Sequence, residues 1–215
     1  MGELGGPKHI LLMGIQGSGK GTQGERLSAA LCIPTISTGV LLRDNIKRKT
    51  EIGVQIQAII EGGNLVPDSV SGALVAARLQ EPDAVGGWIL DGYPRNLQQV
   101  KDLDTFATVT HVIAIEIDDD EAVRRITGRR QCTQNHIYHV DFNPSKVAGV
   151  CDVCGEELVQ RADDVEEAVR KRLEIFHAMT QPLIAVYADR GLVHRINGQQ
   201  SIEAVQKDVF AAVGL

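Results

Sequence analysis

The clearest chemical signature in the sequence is a glycine-rich segment close to its beginning. Residues 14–23 read Gly-Ile-Gln-Gly-Ser-Gly-Lys-Gly-Thr-Gln and directly follow the apolar run 10–13. Glycines let backbone N–H groups converge on an anion without Cβ atoms in the way, and Lys20 adds a positive charge beside it. The apolar run predicts a buried strand, and the residues after the loop predict a helix whose N-terminus favours negative charge. The segment therefore predicts a phosphate-binding loop, with its hydroxyl at Thr22 because Gly21 follows the lysine.

A carboxylate is expected beside this loop. Residues 90–95 read Leu-Asp-Gly-Tyr-Pro-Arg and end the short apolar run that begins at Trp88. A doubly wound parallel sheet binds its ligand beyond the carboxyl ends of its strands, which is where Asp91 would lie. Asp91 suits Mg²⁺, because this ion prefers oxygen ligands and keeps several of its waters. The alternative is that these residues only form a turn, since Asp-Gly and Tyr-Pro are common in turns.

Arginines provide a third signal, because a guanidinium can contact a phosphate through two parallel hydrogen bonds and an ammonium cannot. Arg125 and Arg129 are four residues apart and would share one helix face. Arg130, Arg170 and the basic run 47–49 are assigned to the solvated surface, which is also the alternative for any single one of the others. The candidates for phosphate contact are Arg43, Arg95, Arg125, Arg129, Arg161 and Arg172.

Composition limits the possible classes of function. The 215 residues suffice for one α/β domain with insertions, and the net charge of −6 disfavours a general nucleic-acid binder. The N-terminus has no basic region followed by a long apolar stretch, and no apolar run approaches the roughly 20 residues that a membrane span requires. We therefore expect a cytoplasmic protein without nucleic-acid or membrane partners. Of the four cysteines, Cys32 is expected in the core, whereas the other three lie in one segment, which favours metal over disulfide in a reducing compartment.

Short β-rich runs alternate with helical patterns, which predicts a parallel sheet covered by helices on both faces. Asp68 and Ser201 are predicted helix N-caps, and the two glycines at 62–63 are predicted to end a helix. Two segments interrupt the alternation and are interpreted as insertions, at 37–66 and at 128–164. The predicted strands are 10–14, 34–36, 88–90, 112–117 and 193–196, and the predicted helices are 21–31, 38–48, 53–61, 68–80, 95–103, 119–128, 164–188 and 201–212.

Taken together and in order, these motifs resemble those of adenylate kinases. The resemblance spans nearly the whole chain, from about residue 8 to 214. It implies an α/β fold of the P-loop NTPase type, a doubly wound parallel sheet of about five strands with two inserted mobile subdomains. The motifs that carry it are Lys-Gly-Thr-Gln at 20–23, Ile-Ser-Thr-Gly at 36–39 with Leu42 and Arg43, Asp-Gly-Tyr-Pro-Arg at 91–95, Arg-Ile-Thr-Gly-Arg-Arg at 125–130, and the stretch 161–172.

This family resemblance implies a reversible phosphoryl transfer, ATP + AMP = 2 ADP, which requires Mg²⁺ and serves adenine nucleotide homeostasis. It also implies a core made of residues 1–36, 67–127 and 165–215, an insert at 37–66 that binds the nucleoside monophosphate, and a metal-binding lid at 128–164. The lid resembles the long lid of bacterial and mitochondrial-type members. The partners would be ATP, AMP and ADP, and the protein would be a monomer. Both inserts would close over the substrates and exclude water.

The same resemblance assigns individual residues to the two nucleotides. Residues that would bind ATP are Gly17, Ser18, Gly19, Lys20, Gly21, Thr22, Arg129, Ile137, Tyr138 and Gln200. Residues that would bind AMP are Thr38, Arg43, Asn64, Leu65, Val66, Gly92, Tyr93, Pro94, Arg95, Gln99, Arg161 and Arg172. The catalytic group would be Lys20, Asp91, Arg95, Arg125, Arg129, Arg161 and Arg172, since two polyanions cannot approach in line without dense positive charge.

The insert at 128–164 also carries metal-binding residues. Cys151-Asp-Val-Cys154 is a knuckle in which Gly155 frees the turn, and Cys132 lies upstream of it. Metal-binding family members have a second cysteine where this chain has Asn135, so we expect the fourth ligand to be His136, with His139 as the alternative. The predicted site is Cys132, His136, Cys151 and Cys154 around structural Zn²⁺, although Fe²⁺ or Co²⁺ would suit the same ligands. The remaining alternative is a segment that hydrogen bonds alone hold together.

Two positions depart from the family pattern, and other functions stay open. Val40 replaces the usual Asp, which leaves Asp91 with less support for magnesium, and Gln16 replaces the usual Pro of the loop. The alternatives are a kinase of another nucleoside monophosphate, a GTP-dependent AMP kinase, a nucleotide-binding switch module that turns over poorly, or an interaction module that docks a partner through its Cys/His segment. Thr38 and Gln99 resemble the adenine-side pattern and favour AMP.

Overall fold

Parallel strands form the centre of the molecule. A computed structural model describes residues 6–61 and 66–215 of the protein, with only the backbone described for Glu61. Five of the described strands form one parallel sheet in the order β2-β3-β1-β4-β7, and β5 and β6 form an antiparallel pair. The strands are β1 (Lys8–Met13), β2 (Thr35–Ser37), β3 (Gly87–Asp91), β4 (His111–Glu116), β5 (Arg129–Gln131), β6 (Ile137–His139) and β7 (Val193–Asn197).

Helices connect the strands of the sheet. A short 3₁₀ turn at Pro82–Ala84 precedes β3. Within the described ranges, no helix combines the length and the apolar character that crossing a bilayer would require. The helices are α1 (Lys20–Leu31), α2 (Thr38–Lys47), α3 (Glu51–Glu61), α4 (Asp68–Leu79), α5 (Leu97–Phe106), α6 (Asp119–Thr127), α7 (Glu166–Ile175), α8 (Gln181–Asp189) and α9 (Ile202–Ala212).

The central strands are buried on both faces. Successive residues of a strand point to opposite sides, so β1 contributes to two separate cores. Leu11 packs in the core that contains Tyr187 of α8, and Ile10 packs in the core that contains Leu27 of α1 and Val209 of α9. All five side chains are fully buried, and burial stabilises the fold by about 1.5–3 kcal/mol for each aliphatic one. With both faces covered, the loops after the strands are the places where ligands can reach the sheet.

Two smaller apolar clusters lie outside these cores. One contains Leu42, Ile56 and Val66, and therefore ties α2 and α3 to the start of the segment before α4. The other contains Cys132, Tyr138, Cys151 and Leu158, all from the 128–164 segment. Both clusters fall inside the two segments that the sequence marks as insertions. Among the described residues these clusters have only three and four buried side chains, so neither is a large apolar core.

The predicted α/β architecture is confirmed, because all five predicted strands occur and pair in parallel. Their ends differ from the prediction by at most two residues. The long helix predicted at 164–188 is instead divided into α7 and α8 by a π-helical turn at Phe176–Thr180. Pro182 lies in the first turn of α8, and proline lacks the N–H that a continuous α-helix would need there.

Local predictions had mixed outcomes. Ser201 is the N-cap of α9, with its side chain accepting a hydrogen bond from the Ala204 N–H. Asp68 is not an N-cap, because Pro67 takes that position and Asp68 is the first residue of α4. The prediction of a core Cys32 is wrong: this residue ends α1 with φ of 55°, and its side chain is exposed while Ile33 is buried. The predicted glycine stop at 62–63 lies outside the described residues.

Candidate active site

The loop between β1 and α1 has the backbone of an anion site. Gly14, Gly17 and Gly19 have φ values of 143°, 83° and 97°, which residues with side chains rarely adopt. A Cβ at Gly14 would also overlap the carbonyl oxygen of Ile115 in β4. Gly19 is the N-cap of α1, and no side chain fills that cap. The first N–H groups of α1 are therefore available to an anion.

Lys20 is held against this loop. Its Nζ donates to the carbonyl oxygens of Gly14 and Ile15, each at 2.7 Å. Burial lowers the pKa of Lys20, the charge of Asp91 opposes this shift, and the charges of Arg95 and Arg129 add to it. The lysine thus lies within electrostatic range of all three groups. Of the other predicted loop residues, Ser18 is buried, and Gly21 and Thr22 are exposed in the first turn of α1.

The segment after β3 begins beside this lysine. Asp91 ends the strand, and Gly92 turns the chain with φ of 83° ahead of a cis Tyr93–Pro94 peptide bond. The Nε of Arg95 donates to the Gly92 carbonyl at 2.8 Å, so the guanidinium folds back over the turn. Burial lowers the pKa of Arg95, and the charge of Asp91 opposes that shift. No side-chain hydrogen bond or ion pair engages the Asp91 carboxylate within residues 6–61 and 66–215.

A buried polar network supports this turn from below. Gln99 is 3% exposed; its Oε1 accepts from the Arg95 N–H at 2.7 Å, and its Nε2 donates to Asp68 at 2.6 Å. Asn96 caps α5 by accepting from the Gln99 N–H, and its amide donates to both carboxylate oxygens of Asp68 at 3.0 Å. Asp68 therefore fixes the two amides that shape the Arg95 loop. The sequence prediction included Gln99 here but missed Asp68 and Asn96.

Residues predicted for the monophosphate lie on the β2 and α2 side. The Thr38 hydroxyl donates to the Asp91 carbonyl at 3.2 Å, which places the start of α2 against the end of β3. The Nε of Arg43 is buried and has no hydrogen-bond partner in the described part of the chain. The Tyr93 hydroxyl is likewise buried and unpartnered there. Val66 packs with its side chain inside the small cluster of α2 and α3, and Asn64 and Leu65 lie outside the described residues.

Carboxylates pin the arginines of the 128–172 region. Arg129 makes a two-point contact with Asp164, with Nε–Oδ2 at 2.8 Å and Nη2–Oδ1 at 2.6 Å. Arg172 contacts the same Asp164 Oδ1 at 3.4 Å and the Asp163 carboxylate at 2.8 Å. Asp164 is fully buried. A buried carboxylate is stable only when cations or donors surround it, so this group fixes both guanidinium planes.

Arg161 and Arg43 approach the same cluster from different elements. The Nε of Arg161 donates to the Gln131 side chain. Burial lowers the pKa of Arg161 to about 10, and the charges of Arg129 and Arg43 add to that shift. Burial also lowers the pKa of Arg43, while Asp163 and Asp164 oppose the shift. The positive charges of the two inserts and of the Arg95 turn therefore converge on one cleft next to the phosphate loop.

The acidic partners of this cluster were missed by the sequence prediction. Asp163 and Asp164 stand two and three residues after Arg161, in a stretch whose arginines alone were assigned. The available signal was a pair of consecutive acids among arginines that were expected to converge. Arginines gathered without a ligand repel one another, so a carboxylate partner is physically required.

Arg125 and Gln200 lie apart from this cluster. Arg125 donates to the carbonyl oxygens of Gly17 at 3.3 Å and Gly198 at 3.1 Å. It therefore borders the phosphate loop and the loop after β7, whereas Arg161 and Arg172 adjoin Asp163 and Asp164. The Gln200 side chain donates to the Asn197 carbonyl and to Asp208, and so it is engaged within its own loop and α9.

The predicted metal ligands come together. The ligand atoms of Cys132, His136, Cys151 and Cys154 all lie within 4.8 Å of one another. His136 Nδ1 is 3.3 Å from Cys132 Sγ and 3.4 Å from Cys151 Sγ. A tetrahedral zinc site with Zn–N of 2.0–2.1 Å and Zn–S of 2.3 Å has N···S separations of roughly 3.5 Å. The donor set therefore fits one four-coordinate metal ion.

The closeness of the three thiols favours binding of a cation. Burial raises the pKa of Cys151, but hydrogen bonds from the N–H groups of Cys154 and Val153 and from Tyr138 outweigh burial and lower this pKa to about 6. A backbone hydrogen bond from Glu156 favours the Cys154 thiolate, yet burial and the neighbouring Cys151 and Cys132 thiols raise the pKa of Cys154 to about 12. Three thiolates this close repel one another unless a positive ion lies between them.

Neighbouring residues distinguish His136 from His139. His139 Nδ1 accepts hydrogen bonds from the N–H groups of Asp141 at 3.0 Å and Phe142 at 3.1 Å, so it is turned toward its own loop. The Tyr138 hydroxyl lies 3.6 Å from Cys151 Sγ and accepts from the Asp152 N–H at 2.9 Å. The Tyr138 side chain thus packs against Cys132 and Cys151. Ile137 is half exposed in β6.

Comparisons with known proteins agree on one family. A family model described as adenylate kinase matches residues 12–192. An adenylate kinase of Streptomyces coelicolor is 46% identical over 95% of this chain and 97% of its own length, and one of Moorella thermoacetica is 45% identical over the same shares. An adenylate kinase of Methanothrix thermoacetophila is 41% identical over 94% of this chain and 96% of its own length. With matches of this extent over the phosphate loop, the arginine cleft and the Cys/His cluster alike, the chain belongs to the adenylate kinase family.

Proposed function

We propose that the protein carries out the reaction of its family, ATP + AMP = 2 ADP, in the cleft between the phosphate loop and the Arg95 turn. It is an enzyme, a nucleoside monophosphate kinase, and its role is to balance the adenine nucleotide pool. The observation that carries the proposal is the convergence of Lys20 with five arginines on one cleft: Arg43, Arg95, Arg129, Arg161 and Arg172.

The two sides of the cleft suit two different phosphate chains. On the donor side we assign the loop Gly17–Thr22 and Arg129 to the ATP phosphates, with Lys20 exchanging its contacts to the Gly14 and Ile15 carbonyls for phosphate oxygens. On the acceptor side we assign Arg43 and Arg95 to the AMP phosphate. Arg43 has a buried, unpartnered Nε, which a phosphate oxygen would satisfy. Phosphoryl transfer needs positioning and charge neutralisation above all, and this arrangement supplies both.

Arg161 and Arg172 fit the charge that develops between the two phosphate chains. Both are tied to neighbours in the 128–172 region, Arg161 to Gln131 and Arg172 to Asp163 and Asp164, so their positions are set before substrate binds. Such pre-positioned donors stabilise a transition state without reorganising during the reaction. Arg125 borders the phosphate loop and Gly198, and we assign it to the donor nucleotide and not to the transferring group.

Magnesium fits the end of β3. Asp91 offers a carboxylate without a side-chain partner in the described residues, next to Lys20, and oxygen ligands of this kind suit Mg²⁺. Bound with ATP, the ion would neutralise charge on the phosphates. Val40 is 45% exposed in the first turn of α2 and adds no oxygen ligand there, so Asp91 carries this role without a second carboxylate from position 40.

We propose further that Cys132, His136, Cys151 and Cys154 hold one structural metal ion, zinc in preference to Fe²⁺ or Co²⁺. Four protein ligands close the coordination sphere, so the ion would stabilise the 128–164 segment and take no part in the chemistry. Reduced thiols are required for this site, which is consistent with the cytoplasm as the location. The segments 37–66 and 128–164 would act as mobile covers on a core of 1–36, 67–127 and 165–215. We expect a monomer, as the family resemblance implies.

The substrate assignment is tested by a coupled assay with AMP, UMP, CMP and GMP as acceptors and with ATP and GTP as donors. We expect the highest kcat/KM for ATP with AMP, because Thr38 and Gln99 match the adenine-side pattern of the family. A higher value for another monophosphate, or for GTP, would replace the assigned substrate while keeping the reaction. Absence of any transfer would favour a switch that only binds nucleotide.

The roles of Lys20 and Arg95 are tested by alanine substitution. Lys20→Ala and Arg95→Ala should each lower kcat by about 10²–10³-fold, because each removes a cation that the transition state needs. The matched control is Lys101→Ala, which removes an exposed lysine from α5 and should leave kcat unchanged. Near-normal turnover in either cleft variant, with a circular dichroism spectrum like that of the wild type, would contradict the site assignment.

The ligand set of the metal is tested by elemental analysis of purified variants. The wild type should contain about one metal ion per chain. His136→Ala and Cys151→Ala should both lose most of it, whereas the matched variant His139→Ala should retain it, because its Nδ1 is engaged by two backbone N–H groups. Chelation should lower the melting temperature of the wild type. Full metal content in His136→Ala, or a wild type without metal, would overturn the proposed site.

A further inference from the structure

One carboxylate in α6 holds two arginines. Glu121 Oε1 accepts a hydrogen bond from Arg125 Nε at 2.7 Å. Glu121 Oε2 accepts a hydrogen bond from Arg124 Nε at 2.9 Å and lies 2.7 Å from Arg124 Nη2. The spacing is favourable, since residues three and four positions after a helical glutamate lie on its own side of the helix. The Glu121 side chain is 20% exposed. Arg125 is 22% exposed, so water screens the Glu121–Arg125 pair less than it screens an ordinary surface ion pair, whereas Arg124 is 56% exposed.

Arg125 connects Glu121 to the donor side of the cleft. With its Nε held by Glu121, Arg125 turns its two terminal nitrogens to the Gly17 carbonyl in the phosphate loop and to the Gly198 carbonyl after β7. The guanidinium thereby bridges two loops that come from different strands of the sheet. Without Glu121, Arg125 would lose the only carboxylate that holds it within the described ranges and would be free to leave these carbonyls.

Arg124 connects Glu121 to the 128–164 segment. The Arg124 guanidinium lies over the Phe142 ring, with Cζ at 4.4 Å from the ring centre, and the Phe142 ring packs against His139 at 4.3 Å between centres. His139 in turn sits against Gly128, where a Cβ would overlap its ring. Arg124, Phe142 and His139 therefore form a stack, which we name the hinge stack, that ties the 139–143 loop to the end of α6. A cation over an aromatic ring contributes about 0.5–1 kcal/mol at an exposed site.

We propose that Glu121 is a positioning residue that links the donor-nucleotide loops to the hinge stack. Its two oxygens orient Arg125 toward Gly17 and Gly198 and Arg124 toward Phe142, so closing of the 128–164 segment and shaping of the donor side depend on the same carboxylate. The inference rests on the proposed function, because it takes the phosphate loop to bind ATP. It adds a residue that contacts no substrate and that acts only through its two arginines.

The test compares Glu121→Ala with Asp120→Ala. Alanine preserves the helix, and the control removes the same charge from the preceding residue, which is 95% exposed. Glu121→Ala should raise the KM for ATP about tenfold and change the KM for AMP less than twofold, because Arg125 and Arg124 both act on the donor side. Asp120→Ala should change neither KM. A general loss of stability would change both KM values or lower the fraction of active enzyme, and it would not raise the KM for ATP alone.

Further variants test the charge of Glu121 and the contribution of the hinge stack separately. Glu121→Gln has one acceptor oxygen in place of two, so its KM for ATP should lie between those of the wild type and Glu121→Ala, and it tests the proposal even if the alanine variant does not fold. Phe142→Ala should raise the KM for ATP in the wild type but add nothing in an Arg124→Ala background, because Arg124 transmits the effect. A KM for ATP within twofold of the wild type in both Glu121 variants, or equal increases for ATP and AMP, would overturn the inference. Wild-type activity with ATP and AMP is read in the same assay, so failure of the proposed function would be visible separately.

Discussion

The buried carboxylate of Asp164 is the interaction on which the cleft depends. Two unit charges of like sign 4 Å apart in a protein environment repel by about 4 kcal/mol at an effective dielectric of 20. Arginines brought together without a ligand therefore need a nearby anion, and Asp164 supplies it by contacting Arg129 at two points and Arg172 at one. Because Asp164 itself is fully buried, it cannot lose these partners without a large penalty. The cleft keeps an excess of positive charge but holds its geometry.

The sequence predicts the features of this protein that depend on neighbouring residues. The apolar runs of β1, β3 and β4 predict the parallel sheet, because strands buried on both faces are continuously hydrophobic. The glycines of the phosphate loop and the Cys/His cluster are equally visible, since their residue types and spacing have few other uses. These features are local, and a local pattern can be read from adjacent residues.

The features that the sequence did not predict depend on contacts between distant residues. Asp68 looks like an N-cap by its position, but it is the acceptor for Asn96 and Gln99, which are about thirty residues away. Cys32 looks like a core residue by composition, yet the left-handed end of α1 turns it outward. Tyr138 falls in a stretch that the family resemblance links to ATP, and the sequence did not predict the contact of its hydroxyl with Cys151. Only the three-dimensional arrangement decides these cases.

The 128–164 segment depends both on a local cluster of side chains and on a contact between residues distant in the sequence. A cluster of Cys132, Tyr138, Cys151 and Leu158 is too small to hold nearly forty residues by apolar burial alone, and a four-ligand metal site would supply the missing stability. At its two ends, Arg129 and Asp164 join through the buried ion pair, so the segment is fastened where it meets the cleft. A metal ion at the Cys/His cluster would hold the middle of the segment, whereas the ion pair joins its two ends.

The most direct measurement is the kcat/KM of Asp164→Asn, a variant that keeps the shape of the side chain and removes its charge. The account predicts a fall of about 100-fold together with a lower melting temperature, because Arg129 and Arg172 lose the anion that orients them. Glu167→Gln, which neutralises an exposed carboxylate three residues away in α7, should leave both quantities unchanged. If Asp164→Asn instead retained kcat/KM within twofold of the wild type, the arginines would hold their positions without the buried carboxylate, and the central claim would be wrong.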